Sequence, residues 1–206
     1  AAMAERARAD VVVVGTHVGG VIDQVWYRSV SRSLLREARV NVLCVPGRAA
    51  WAALPPVPHL RRVLVGVDFS APSLRAVAYA CAVASPGTSI RLVHVVHPRA
   101  VGGGAADTGL RRSPAHDTYV RRERTRLERL RRSMDRPGGE ADDVAIVEDE
   151  DVPGGLCGEA ARFGADLVVL GTLGLSGLQR AAAGSIAGDV LERCGRPVLV
   201  VRAPRA

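Results

Sequence analysis

The segment Ala9-Asp10-Val11-Val12-Val13-Val14-Gly15-Thr16 recurs 156 residues later as Ala165-Asp166-Leu167-Val168-Val169-Leu170-Gly171-Thr172. The register then runs on without a gap. Ser29 falls on Ser185, Leu35 on Leu191, and Val42-Leu43-Cys44-Val45 on Val198-Leu199-Val200-Val201, so 11 of the 37 positions across residues 9–45 are identical. Solenoid repeats have periods of about 20–50 residues, so this spacing points to a duplicated domain.

Each copy has the same grammar: an apolar run ending at Gly-Thr, a glycine-bearing loop, a helix, and a second apolar run. Short β-branched runs on either side of a helix predict buried parallel strands joined by a crossover. The second copy is preceded by more of this pattern. Strands are expected at 63–67, 90–96, 144–147, 167–170 and 198–201. Helices are expected from Ser70 or Ser73 through Ala84, over 117–134, over 155–163 and over 185–194, with a loop over 97–116. The result is an open, doubly wound parallel α/β sheet of five strands over residues 61–206. Residues 1–47 hold only the last two strands and one helix of the same plan, too little to bury a core alone. Either the missing front half stands upstream, or this fragment leans on the complete domain, and a proline-bearing linker at 48–60 joins the two. The opening Ala1-Ala2-Met3 reads as the interior of a longer chain, and no export leader or membrane span is expected, so the chain is placed in the cytoplasm.

The net charge is +7, and all 28 basic residues are arginine. The excess is concentrated at residues 99–139, with eleven arginines against five acids, while residues 140–206 carry six against eleven. Aromatics make up only 3% and no nucleic-acid-reading motif is present, so the patch predicts a solvated helix face and no nucleic-acid partner. The four cysteines, Cys44, Cys81, Cys157 and Cys194, form no C-x-x-C pair and read as free thiols among small or apolar neighbours. No group near Cys157 or Cys194 in sequence is expected to lower a thiol pKa, which speaks against a redox role. His94 and His97 are not expected to form a metal site.

In such a sheet, ligands bind beyond the carboxyl ends of the strands, where strand order reverses. Two features fall there. Asp68 follows the first strand directly, and Gly171-Thr172-Leu173-Gly174 follows the fourth, with Gly184-Ser185 nine residues later. Glycines let the backbone approach a ligand closely, and the helix opening at Gly184-Ser185 offers free N–H groups to phosphate. An aspartate across the crevice can accept hydrogen bonds from ribose hydroxyls or an adenine amine. It can also cap the following helix, but Ser70 and Ser73 are available for that task. Gly177 lies in the same loop and joins the candidate set, although loop geometry alone accounts for it. No Walker lysine follows, so this is not a P-loop.

On these residues the chain resembles the universal stress protein family. The family's G-x2-G-x9-G-[ST] signature is matched by Gly171, Gly174, Gly184 and Ser185. Its strand-end aspartate is matched by Asp68 in Val65-Gly66-Val67-Asp68-Phe69-Ser70, and its adenine contact by Val95 in Val93-His94-Val95-Val96. The resemblance implies strand order 3-2-1-4-5, with Asp68 and Gly171 on adjacent strands. It also implies a stress-response role, ATP (with Mg²⁺ carried on the nucleotide) as ligand, and dimer-like pairing through last strands, either in a homodimer or between the two copies. In the first copy Val18 and Arg28 replace the second and third signature glycines, so residues 1–47 are expected to bind no nucleotide. Ala187 stands where many relatives carry a hydroxyl.

The expected function is therefore an adenine-nucleotide-binding regulatory module, not an enzyme, since no general base or lysine stands beside the phosphates. The alternative is an interaction scaffold that pairs through sheet edges without nucleotide. A nucleotide hydrolase or ligase would need catalytic carboxylates or lysines near Gly171, and the acidic run at 148–151 reads as a solvated loop.

Overall fold

The computed structural model describes residues 4, 6–17, 40–47, 60–98, 114–134, 136, 142–171 and 185–202. Among these, seven strands and four helices follow in the order β1 (Val11–His17), β2 (Asn41–Gly47), β3 (Arg62–Gly66), α1 (Ala71–Val83), β4 (Ser89–Val96), α2 (Pro114–Arg132), β5 (Asp143–Glu148), α3 (Val152–Phe163), β6 (Leu167–Gly171), α4 (Ser185–Arg193) and β7 (Val198–Val201).

All seven strands join one sheet in the order β1-β2-β7-β6-β3-β4-β5. Every neighbouring pair is parallel except β2 and β7, which run antiparallel with Val42 opposite Val200, Leu43 opposite Leu199 and Cys44 opposite Val198. The segment carrying β1 and β2 thus extends the sheet beyond β7. Val63, Leu64 and Val65 of β3 are each fully buried, because the strand is covered on both faces. On one face Ala76, Val77 and Ala80 of α1 and Leu127 of α2 pack against Val65, Leu92 and Val169. On the other, Leu156 and Ala160 of α3 and Val190 of α4 pack against Leu64, Val168 and Val200.

Local chemistry accounts for the element ends. Ser70 caps α1, its hydroxyl accepting from the Ser73 amide at 3.4 Å, and Pro72 fits the first turn, where no intrahelical donor is needed. Asp117 in the first turn of α2 and Arg129, Arg131 and Arg132 in its last turn complement the helix dipole. Helix α3 ends at Gly164, which takes the left-handed conformation (φ 67°) that closes a helix without a Cβ penalty. Asp166 ties β6 to the start of β3, its Oδ2 accepting from the amides of Arg61 at 2.8 Å and Arg62 at 2.9 Å. Behind β4, Asp142 accepts from the Ile90 amide at 2.7 Å and pairs with Arg136, which also donates to the Thr88 carbonyl; the two side chains are 3% and 5% exposed.

No helix of the described residues is long and apolar enough to cross a membrane. The linker at 48–60 lies outside the described residues apart from Leu60.

Candidate functional site

Strands β3 and β6 lie side by side and parallel, and Gly66 is opposite Leu170. The chain leaves β3 toward α1 on one face, whereas α4, the helix after β6, lies on the other. Diverging connections of this kind open a crevice at the carboxyl edge. A cavity of about 310 Å³ occupies it, near the small end of the range for ligand pockets. Asp68 and Ser70 line it from the β3–α1 turn, Ser73 from the first turn of α1, and Val93, His94 and Val95 from β4. Gly171 closes it from β6, Val152 and Leu156 from α3, and Ile186 and Ala187 from the first turn of α4.

Of the residues expected from sequence, Asp68, Val95 and Gly171 therefore meet at one cavity, and Ser185 opens α4 beside it. The side chain of Ser185 and all of Gly174, Gly177 and Gly184 lie outside the described residues.

Asp68 is exposed at the cavity mouth. Its Oδ1 accepts from the Ser70 amide at 2.9 Å and the Ser70 hydroxyl at 2.5 Å, while its own amide donates to Ser73 Oγ at 3.3 Å. Asp68 thus braces the residue that caps α1 without being the cap itself. Partial burial would push its carboxyl up, but the hydrogen bonds from Ser70 and Ser73 outweigh that and hold it below the ordinary value.

Gly171 serves a steric purpose. A Cβ there would lie 2.3 Å from the carbonyl carbon and oxygen of Pro72 and 2.6 Å from the Ser73 amide nitrogen. Only a residue without a side chain lets the end of β6 pass the first turn of α1 this closely. Gly155 does the same for α3, where a Cβ would come within 3.0 Å of Asp149 and 3.3 Å of Val95 Cγ1. That close approach seats α3 on Val95 and closes the cavity floor.

A second group at this edge is not apparent from the motifs. Phe69, between Asp68 and Ser70, holds φ at 61°, a left-handed conformation uncommon for a bulky residue. Its ring lies 5.1 Å from the His94 ring, with the Arg126 guanidinium 3.9 Å above its centroid. His94 Nδ1 is 2.7 Å from the Val67 carbonyl, which only accepts, so that nitrogen carries the proton. The aromatic residue in the Asp68–Ser70 turn was the one available sequence signal.

The acidic run that closes β5 and leads into α3 makes specific contacts, which a merely solvated loop would lack. Glu148 lies 3.1 Å from His116 Nε2, Asp149 accepts from the Asp151 amide at 2.8 Å, and Asp151 pairs with Arg193 of α4 at 2.5 Å. Among the described residues no group of three or more His, Cys, Asp or Glu side chains is arranged to hold a metal ion.

Residues 59–202 match the model of the universal stress protein family. Among solved structures, a universal stress protein from Archaeoglobus fulgidus DSM 4304 is 17% identical with a TM-score of 0.59, and the alignment covers 98% of this chain and 64% of that one. The functionally unknown protein PA1789 from Pseudomonas aeruginosa PAO1 is 15% identical with a TM-score of 0.59, covering 98% and 66%. The hypothetical protein MJ0577 is 18% identical with a TM-score of 0.55, covering 72% of this chain and all of that one. The chain thus spans under two-thirds of the length of the Archaeoglobus protein. No curated protein sequence matches it.

Proposed function

Because the chain belongs to the universal stress protein family, we propose that residues 61–206 form an adenine-nucleotide-binding regulatory unit in stress response, with residues 1–47 the closing part of a degenerate first copy. The observation that carries this reading is the meeting of Asp68, Val95 and Gly171 at one cavity beside the first turn of α4. Val95 and the apolar side chains around it suit a flat base. The Asp68 carboxylate at the mouth can accept from ribose hydroxyls. The amides that open α4 suit phosphate oxygens, since the first four N–H groups of a helix lack intrahelical partners. ATP is the ligand in this reading, any Mg²⁺ rides on its phosphates, and the protein resides in the cytoplasm.

The unit works by binding, not by turnover. A regulatory ligand acts through its different affinities for two states of the protein. The first copy contributes sheet area and no nucleotide site, since Val18 and Arg28 stand where the intact signature has glycine.

The scaffold reading has one observation in its favour, the β2–β7 seam, which is edge pairing already made within the chain. Nucleotide released from freshly purified protein separates the two. Adenine nucleotide in the supernatant after denaturation supports the binding unit, and its absence at stoichiometric sensitivity supports the scaffold.

A further inference from the structure

Asp68 stands between two residues that other elements hold in place. On one side Val67 is tied to β4 twice: its amide donates to the Val93 carbonyl at 2.8 Å, and its carbonyl accepts from His94 Nδ1 at 2.7 Å. On the other side Phe69 keeps its left-handed φ of 61° beneath the Arg126 guanidinium, 3.9 Å from the ring centroid. The hydrogen bonds from the Ser70 amide and hydroxyl to Asp68 Oδ1 close a turn across Phe69, so this conformation is what brings Ser70 to the carboxylate. We infer that Arg126 is a positioning residue for Asp68: from α2 it holds Phe69 in the turn that fixes the carboxylate at the cavity mouth, and thereby sets the affinity of the site for nucleotide. The affinity part rests on the nucleotide reading, whereas the positioning does not.

The guanidinium is itself aimed. Glu123, one turn earlier on α2, has a side chain only 3% exposed, and its Oε2 lies 3.6 Å from Arg126 Nη1 while its Oε1 pairs with Arg122 at 3.1 Å. A buried carboxylate thus steers Arg126 onto the ring face, whose negative quadrupole attracts a cation. Arg122 is engaged elsewhere, 5.8 Å over the Tyr119 ring of its own helix. From β4 the His94 ring supports Phe69 at 5.1 Å with a tilt of 52°.

A bulky residue with positive φ persists only where its surroundings over-determine it, and such residues gather at ligand sites. Here β4 and α2 converge on the one residue between Asp68 and the helix cap Ser70. Removing the cation frees Phe69 to relax toward negative φ. Ser70 then moves off Asp68, and the carboxyl loses the hydrogen bonds that hold it below its ordinary value.

The test follows the Asp68 carboxyl carbon by NMR against pH in nucleotide-free protein, with calorimetric titration of ATP and Mg²⁺ beside it. Arg126→Met keeps the stem and removes the charge at a side chain 53% exposed, so the fold should survive. The Asp68 midpoint should rise toward the ordinary aspartate value in this variant, and ATP should bind roughly 3–10-fold more weakly, the worth of one partly exposed cation–π contact. Arg126→Lys, which returns a cation to the ring, should recover most of both. Glycine takes positive φ freely, so in a Phe69→Gly background Arg126→Met should change neither. An Asp68 midpoint unmoved in folded Arg126→Met, a Lys variant no better than Met, or an equal effect in the Phe69→Gly background would overturn the inference. Absence of ATP binding by the wild type would overturn the nucleotide reading and the affinity claim with it, while the Asp68 titration still decides the positioning role.

Discussion

Leu43 and Leu199 face each other across the antiparallel seam between β2 and β7, and they occupy the same position of the 156-residue repeat. The neighbouring pairs obey the same symmetry. Val42 faces Val200 while its repeat counterpart Val198 faces Cys44, which is itself the counterpart of Val200. A local two-fold axis therefore passes through the leucine pair, the geometry of an isologous dimer interface, realised here within one chain. It leaves β7 with a neighbour on each side and places the sheet's two edges at β1 and β5.

Opening that seam should expose β7 to a second copy. Val42 is fully buried, so Val42→Asp places an uncompensated charge there and should cost about 3–5 kcal/mol. Sedimentation velocity on the variant should show concentration-dependent dimers absent from the wild type, as a freed edge strand finds another. A variant that stays monomeric at wild-type stability contradicts the seam's role.

The two equivalent glycines should respond differently to the same change. Gly171→Ala drives a Cβ to 2.3 Å from the Pro72 backbone, whereas no atom lies within 4 Å of a Cβ at Gly15. Chemical denaturation should show a loss of about 1–3 kcal/mol or more for Gly171→Ala, and little change or a gain of up to about 1 kcal/mol for Gly15→Ala. Equal effects would mean that β6 does not need the close approach to α1.

The strands were legible because their signal is strong. Fully buried parallel strands read as unbroken Val/Leu runs, and β7 starts and ends where the run predicted. The helix starts were less legible. α2 begins at Pro114 and α3 at Val152, each three residues ahead of expectation. Pro114 and the Val152-Pro153-Gly154 stretch look like loop, yet proline suits a first turn, and the neighbouring Gly155 is small because α3 lies on Val95. At the site, spacing identified Asp68, Val95 and Gly171 but not why Gly171 must be glycine, since that depends on the position of Pro72. The Phe69–His94–Arg126 cluster was not legible as a group, because it joins separate elements that only the tertiary fold brings together.

The buried Arg136–Asp142 pair should be one of the most sensitive polar contacts in the described residues. Asp142→Ala strands a guanidinium that is 5% exposed and removes the acceptor of the Ile90 amide. Urea denaturation should report a loss of about 3–5 kcal/mol. A loss below about 1 kcal/mol would show that Arg136 finds water once Asp142 is gone.

Asp68 gives the protein a small acid-sensitive component. Its folded carboxyl lies below the ordinary value, so its contribution is present above the usual aspartate pKa and is lost as pH falls through the lower folded value. Because the group is exposed, the effect should be roughly 1 kcal/mol at most after solvent screening. Stability measured against pH should fall less steeply at the acid end in Asp68→Ala than in the wild type. An unchanged acid limb contradicts the assignment.

Calorimetric titration of the chain with ATP and Mg²⁺ tests the central claim most directly, run beside Gly184→Arg, which copies Arg28 of the first copy into the intact signature. One site per chain in the wild type, abolished in a variant that keeps its fold by circular dichroism, is the predicted result. No heat of binding to well-folded wild type, or two equivalent sites per chain, would contradict a single nucleotide site built from the second copy alone.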